Sequence, residues 1–219
     1  MYCMEKYGWS QDVADSVSWR SVLSARNKCT ATQLMQTTKI MHGWLPVMHM
    51  QAHISGTAQC PSCPYPDETL DHLFHCPHPL LQCKRELILE QLRKKGLKLR
   101  VPYPIVSTWC SILASYFDDT PLPEFEPHEI RNAVLSQQVI GLQFFPRGFL
   151  STEWIHAMEA LGCVDPHRKL ASLTFFLWIE VTDALWRVWN GIVHKSQNLN
   201  DMAQEVVVDS RLQWYLGNY

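Results

Sequence analysis

The sequence predicts a mainly α-helical protein: an irregular helical domain with a small zinc-stapled loop and long C-terminal helices. Three observations support this fold class. Apolar residues recur at spacings of three and four along most of the chain, and no convincing alternation of period two occurs. No internal repeat and no low-complexity tract is present. The hydrophobic fraction of 47% and the charged fraction of 18% are typical of a folded globular chain.

The N-terminal part of the chain is predicted to be helical with short interruptions. Residues 10–50 favour helix, with Ser10 as an N-cap and a second apolar run between Thr32 and Met41. HGWLP at 42–46 is predicted to end this run, and HISGTAQ at 53–59 is typical of a loop.

The middle of the chain predicts two further helices. Residues 80–99 form a basic amphipathic helix whose end is weakened by Gly96. VPYP at 101–104 predicts a break, because proline lacks a backbone donor and disfavours helix in the residue before it. A short apolar helix is predicted over 105–117.

An acidic, proline-rich segment at 118–127, DDTPLPEFEP, is the best candidate for a boundary inside the chain. It divides a region at 1–117, which contains the cysteine cluster and the basic helix, from a helical region at 128–219. The helices predicted after it span 127–143, 151–162 with Ser151 as cap, 166–196 as one long helix, and 200–216 as the last helix.

Charge and hydropathy exclude several classes of protein. The net charge is −2, but residues 84–100 hold seven Lys or Arg against two Glu, which leaves +5 in that segment and −7 elsewhere. No uninterrupted apolar run is long enough for a membrane span. The N-terminus has no apolar core of a secretory signal, so we expect an intracellular protein of the nucleus or cytoplasm that is not secreted.

The cluster CPSCPYPDETLDHLFHC predicts a structural zinc site. Its spacing is Cys60-x2-Cys63-x8-His72-x3-Cys76, and these four residues supply the thiolate and imidazole ligands that zinc prefers. The first pair can hold a metal from a tight turn. His72 and Cys76 are four residues apart, which places them on one face of a helical turn.

Other interpretations of the cluster are weaker. His75 and His78 are alternative fourth ligands. A redox dithiol at Cys60 and Cys63 would be expected within a βαβ pattern, which is not present. A catalytic zinc is not expected, because four protein ligands leave no open position for water.

These residues also carry a family resemblance. The run C-P-x-C…E-T-x-D-H-L-F-x-C-P resembles the zinc-binding segment that follows the reverse transcriptase in non-LTR retrotransposon polyproteins, particularly algal ones. Three flanking blocks are similar to that region, and the likeness covers about residues 30–195: TTKIMHGWLPVMHMQ, QQVIGLQFFPRGFLSTEW and LWRVWNGIVH.

The resemblance implies an accessory domain without enzymatic activity. Its partners would be RNA or single-stranded DNA and other proteins of the retroelement, with no small-molecule substrate. The chain departs from the pattern at Trp189, where the family usually has arginine or a similar polar residue, and it contains no polymerase domain.

The stretch SYFDDT at 115–120 superficially matches the Y-x-D-D catalytic turn of reverse transcriptases. That turn requires a hydrophobic strand on each side, whereas Asp119 leads directly into TPLPEFEP. We therefore interpret Asp118 and Asp119 as a helix end followed by the acidic segment. No phosphate-binding loop and no hydrolase or metalloprotease motif is present.

The basic segment gives the second functional hypothesis. Its cations would contact nucleic-acid phosphates without sequence preference. The alternative is a solvated helix face with Leu87, Leu89 and Leu92 turned inward. Trp178, Trp186 and Trp189 could stack on bases, but their helical spacing favours the core. The predicted phosphate-contacting residues are Lys84, Arg85, Arg93, Lys94, Lys95, Lys98 and Arg100.

A competing function is a zinc-braced helical scaffold that binds protein and no nucleic acid. A continuous positive stripe from Lys84 to Arg100 would favour the nucleic-acid hypothesis. A basic helix buried against acidic neighbours would favour the scaffold.

Overall fold

A computed structural model describes residues 2–194, and in this range the side chains from residue 4 onward. The range contains helices and connecting loops and no β-strand; its one isolated bridge joins Val17 and Ser151. The predicted mainly α fold is confirmed. None of the helices described is both long and apolar enough to cross a membrane.

Five short helices form the N-terminal part. Ser10 accepts from the Val13 amide as the predicted cap, and Thr30 and Gln33 form a reciprocal capping box at the start of the fourth helix. Gly43, with φ 64°, ends that helix. The bounds are Tyr2–Tyr7 for α1, Gln11–Ser16 for α2, Trp19–Arg26 for α3, Ala31–His42 for α4 and Met48–Ser55 for α5.

Three helices follow, α6 over Leu70–His75, α7 over Pro79–Lys98 and α8 over Tyr103–Asp118. The predicted ranges agree with α7 and α8 apart from their ends. Pro104 lies inside the first turn of α8, where a missing backbone donor is tolerated, so the break is shorter than predicted. Gly96 does not end α7; it allows α8 to approach, because a Cβ there would meet Val106 Cγ2 at 2.3 Å.

Two helices flank the FFPRG loop, α9 over His128–Ile140 and α10 over Glu153–Ala160, with a 3-10 turn at Leu142–Phe144. The N-cap position of α10 is Thr152, one residue after the predicted cap, although the Glu153 amide still donates to Ser151 Oγ at 3.1 Å. Arg147 in the loop donates to the carbonyl oxygens of Ile40 and Met41, which ties the loop to the last turn of α4.

The predicted long C-terminal helix is present as one rod, made of α11 (Pro166–Phe176), a π-helical segment (Leu177–Asp183) and α12 (Ala184–His194). The FFPRG loop docks on the π segment. There Trp178 donates to the Arg147 carbonyl and Thr182 to the Pro146 carbonyl, both at 2.7 Å. Residues 195–196 and the predicted helix over 200–216 lie outside the described residues.

One large buried cluster extends from Val22 to Trp189 and draws on helices from both ends of the described chain. Tryptophans are its largest members: Trp109, Trp154, Trp178 and Trp189 are at most 1% exposed. Trp186 is also buried and stacks on Trp189 at 4.7 Å. These rings therefore belong to the core, as the helical spacing predicts, and are not placed for stacking on bases.

Residues 119–127, after α8, contain no regular helix, and Leu122 and Phe125 pack partly buried against the large cluster. Helices on both sides of this segment contribute to the same cluster. The division of the chain at 118–127 stays a prediction.

Candidate metal centre

The three cysteines and the histidine of the sequence motif converge on one point. The sulfur atoms of Cys60, Cys63 and Cys76 and a ring nitrogen of His72 all lie within 4.8 Å of one another. The Cys63 Sγ to His72 Nε2 distance is 3.3 Å. Among residues 4–194 this is the one group of three or more potential metal ligands that meets this criterion.

Two local structures present the ligands. Cys60 closes a tight turn, in which its amide donates to the Tyr65 carbonyl at 2.9 Å. The other arm is α6, where Thr69 caps the His72 amide and the Cys76 amide donates to the His72 carbonyl at 2.7 Å. Both arms agree with the predicted turn and helical pair.

The separations fit a single ion. In a tetrahedral site with bonds of roughly 2.0–2.3 Å, neighbouring ligand atoms lie about 3.3–3.8 Å apart. The Cys63 Sγ to His72 Nε2 pair is already at such a distance, and every other pair lies within 4.8 Å. Cys60, His72 and Cys76 are buried and Cys63 is half-buried, so the ion would be largely shielded from water. The four groups can therefore hold one metal ion.

The sulfur atoms already interact without an ion. A hydrogen bond between Cys60 and Cys76 raises the pKa of Cys60 and lowers the pKa of Cys76, which makes Cys76 the preferred thiolate of the pair. Burial raises the pKa of Cys63. A bound cation would favour the thiolate form at all three positions.

The alternative histidines lie outside the ligand group. His75 packs its ring edge against Tyr116 at 4.8 Å, and burial lowers the pKa of His75. His78 caps α7 by accepting from the Leu80 amide at 3.3 Å. His72 is the histidine turned toward the cysteines, and Tyr65 stacks flat on its ring at 4.3 Å.

Glu68 attaches the metal loop to the rest of the fold, a role that sequence reasoning missed. Its side chain is fully buried and accepts from the Met48 amide at 3.0 Å and from Trp189 Nε1. Its carbonyl accepts from the His49 amide at 3.0 Å. One carboxyl group therefore connects the loop to α5 and α12. An acidic residue in a polar loop gives no sequence signal of such burial.

Arg85 is a second residue that attaches the metal loop to the fold, whereas the sequence predicts it to contact phosphate. It is 6% exposed and donates through Nη1 to the Cys76 carbonyl at 2.9 Å. It cannot offer its guanidinium to a surface phosphate, and we remove it from the phosphate-contacting set. A signal for this was present: Arg85 continues the buried spacing of Leu81, Ile88 and Leu92 on α7.

Comparison with known proteins assigns no family. No family model, no curated protein and no solved structure matches this chain. The function of the centre must therefore be argued from its own residues and from the surfaces near it.

The remaining predicted cations stay accessible on or just after α7. Arg93, Lys94, Lys98 and Arg100 are exposed, and Lys84 and Lys95 are half-buried. Lys94 pairs with Glu90 of the same helix at 2.8 Å. The positive stripe is thus interrupted at Arg85 and partly neutralised at Lys94.

The Y-F-D-D stretch ends a helix. Asp118 is the last residue of α8 and Asp119 its left-handed cap, with φ 51°. Both side chains are exposed, and the chain continues without strand structure into the proline-rich segment. This agrees with the interpretation of the stretch as a helix end.

Proposed function

We propose that this chain is a non-enzymatic, zinc-binding accessory domain that binds single-stranded nucleic acid. The observation that carries the proposal is the convergence of Cys60, Cys63, His72 and Cys76 next to the start of a basic helix. Three thiolates and one imidazole form a ligand set that suits Zn²⁺, and four protein ligands leave no catalytic position open.

Zinc would act as a structural staple in this proposal. It would fix the turn at Cys60 to α6, a helix of six residues that is too short to be stable alone. Cys76 ends α6, and Arg85 holds its carbonyl from the second turn of α7. Metal binding energy would therefore become folding energy for the segment that orients α7.

The accessible cations support the nucleic-acid part of the proposal. Lysine and arginine that neutralise phosphates release counterions, so binding should weaken as salt rises. Three or four realistic contacts give a logarithmic slope of about −2 to −3 for a single strand. The affinity would then fall roughly 15- to 60-fold between about 50 and 200 mM salt.

The resemblance to the region after the reverse transcriptase of non-LTR retrotransposons supports the same function. In this proposal the chain is an accessory domain of such a polyprotein, and other retroelement proteins are further partners. The zinc thiolates would require a reducing compartment, the nucleus or the cytoplasm.

The test combines metal analysis with binding. We expect one zinc per chain and salt-dependent binding of single-stranded RNA or DNA by the purified protein. The variant K94E/K95E/K98E should bind much more weakly, and K39E, an exposed lysine on α4, should bind as wild type. Chelation should weaken binding although the ion contacts no phosphate. Equal binding by wild type and the triple variant, or no binding at low salt, would remove the nucleic-acid function.

The second candidate, a protein-binding scaffold, is favoured by one surface. An apolar groove of about 450 Å³ lies between α7 and α8. Leu97 and Tyr103 in its lining are 80% and 78% exposed. If the nucleic-acid test fails, we expect a protein partner to bind this groove. Leu97→Asp should then abolish that binding.

A further inference from the structure

Basic residues from three separate parts of the chain lie on segments that converge at the C-terminal end of α7. Lys28 follows α3, Lys95 lies on α7, and Arg168 lies in the first turn of α11. Two hydrogen bonds hold these parts together. Lys28 Nζ donates to Ser172 Oγ, and Lys169 Nζ donates to the Arg100 carbonyl, each at 2.7 Å.

The positive charges of Arg168 and Lys95 both act on Lys28. Burial, followed by the positive charges of Arg168 and Lys95, lowers the pKa of Lys28. Within the described part of the chain, none of these three residues forms an ion pair with a carboxylate. The cluster therefore carries positive charge that no fixed anion of the described chain neutralises at contact distance.

The cluster also separates the cations of α7 into two groups. Arg93 and Lys94 line the groove that faces α8. Lys95 lies about one helical turn before the end of α7, where the Arg100 carbonyl accepts from Lys169 of α11, and its charge contributes to the lowered pKa of Lys28. The side with Lys95 gains two further cations from other elements, whereas Lys94 already pairs with Glu90.

We propose that Lys28, Lys95 and Arg168 form a binding site for backbone phosphates of single-stranded nucleic acid. This inference rests on the proposed nucleic-acid function and assigns its main phosphate contacts to a surface that no contiguous basic motif reveals. Arg168 can hold two oxygens of one phosphate, and the two lysines add point charges. The exposed positions of Lys28 and Arg168 leave both side chains open to a ligand.

The decisive variants are K28E and R168E, singly and combined, in the full zinc-loaded chain, and K39E on α4 matches the charge change of each single variant. The probe is a single-stranded uridine oligonucleotide in a salt titration. Loss of two phosphate contacts should reduce the magnitude of the logarithmic slope by about 1.4, and affinity at low salt should fall at least about tenfold. K39E should bind as wild type.

A thermal melt of the same proteins separates binding from a structural role. K28E/R168E loses the Lys28–Ser172 hydrogen bond together with the repulsion between the cations, so it should melt close to the wild-type temperature while it binds less RNA. A variant that melts lower and loses binding in proportion to its unfolded fraction would indicate a structural role and overturn the inference.

A second arm distinguishes nucleic acid from free phosphate. Inorganic phosphate is added to wild type at matched ionic strength in chloride. If phosphate stabilises the protein but the oligonucleotide does not bind, the site serves a free anion and the inference fails. If K28E/R168E binds RNA as wild type while K94E/K98E does not, the inference fails and the proposed function stands. If wild type binds neither RNA nor single-stranded DNA at low salt, both fail.

Discussion

Glu68 shows how one buried residue can hold a metal loop in place. A buried carboxyl group is tolerated only when donors surround it. Here one donor is the Met48 amide at the start of α5. The other is the indole of Trp189 on α12, which lies 121 residues after Glu68. The loop that carries Cys60 and Cys63 is therefore fixed to the core independently of any ion.

Substitution of Glu68 should destabilise the protein. Glu68→Ala leaves two buried donors without an acceptor, and we expect a loss of about 2–4 kcal/mol in the free energy of unfolding. Glu68→Gln keeps one acceptor oxygen and should lose less. Urea denaturation with zinc present measures both, and exposed Glu129→Ala should stay within about 0.5 kcal/mol of wild type. A Glu68→Ala protein as stable as Glu129→Ala would contradict the attachment role.

The pair His72 and His75 provides a matched test of the ligand set. His72→Ala removes one of four ligands, so zinc affinity should fall by more than the roughly 10- to 100-fold typical of losing an outer hydrogen-bond partner. His75→Ala removes a ring that packs on Tyr116 and should leave zinc affinity close to wild type. Competition with a chromogenic chelator measures both. The reverse order would show that His75 is the ligand.

At the scale of elements, the position of α7 depends on contacts at both of its ends. Near its start, Arg85 holds the carbonyl of Cys76. Near its end, Gly96 lets α8 approach so closely that a Cβ would come within 2.3–3.2 Å of three side-chain atoms of Val106. The helix is thus fixed to the metal loop and to α8, which keeps its cations in a constant orientation.

Gly96→Ala should therefore destabilise the protein despite the better helix propensity of alanine. Alanine gains about 1 kcal/mol in a helix, but overpacking against Val106 costs about 1–3 kcal/mol. Because contact with a side chain is the cause, the double variant G96A/V106A should recover part of the loss expected from adding the two single effects. Urea denaturation of all four proteins measures this coupling. Additive effects would show that Val106 is not the obstacle.

At the scale of the whole molecule, one buried cluster joins the metal loop, α7, α8 and the C-terminal rod. The two carboxylates of the Y-F-D-D stretch lie at the edge of this assembly, exposed and at a helix end. Catalytic carboxylates for in-line phosphoryl transfer must hold metal ions in a shaped site, and an exposed helix end does not provide one.

We therefore expect the purified protein to incorporate no nucleotides with either magnesium or manganese present. Asp118→Ala should be equally inactive. Its zinc content and melting temperature should equal those of wild type, because the Asp118 side chain is exposed. A primer-extension assay on RNA and DNA templates measures the activity. Turnover by wild type that disappears in Asp118→Ala would contradict the prediction.

The sequence by itself determined the features that depend on neighbouring residues. The four ligands lie within 17 residues, so their spacing alone defines a turn and a helical pair. Ser10 caps α2 through the Val13 amide, and Ser151 Oγ accepts from the first amide of α10. The periodic apolar pattern over 166–194 likewise corresponds to one helical rod. Each of these follows from local hydrogen bonding and side-chain periodicity.

The tertiary structure alone decided which charged residues are buried and which residues distant in sequence come into contact. Arg85 and Lys84 are adjacent in sequence, but only Arg85 falls on the packed side of α7. The Glu68–Trp189 and Lys28–Ser172 hydrogen bonds each join residues more than 100 positions apart. Such contacts depend on how helices pack on one core, and packing is a property of all the side chains together rather than of any local spacing.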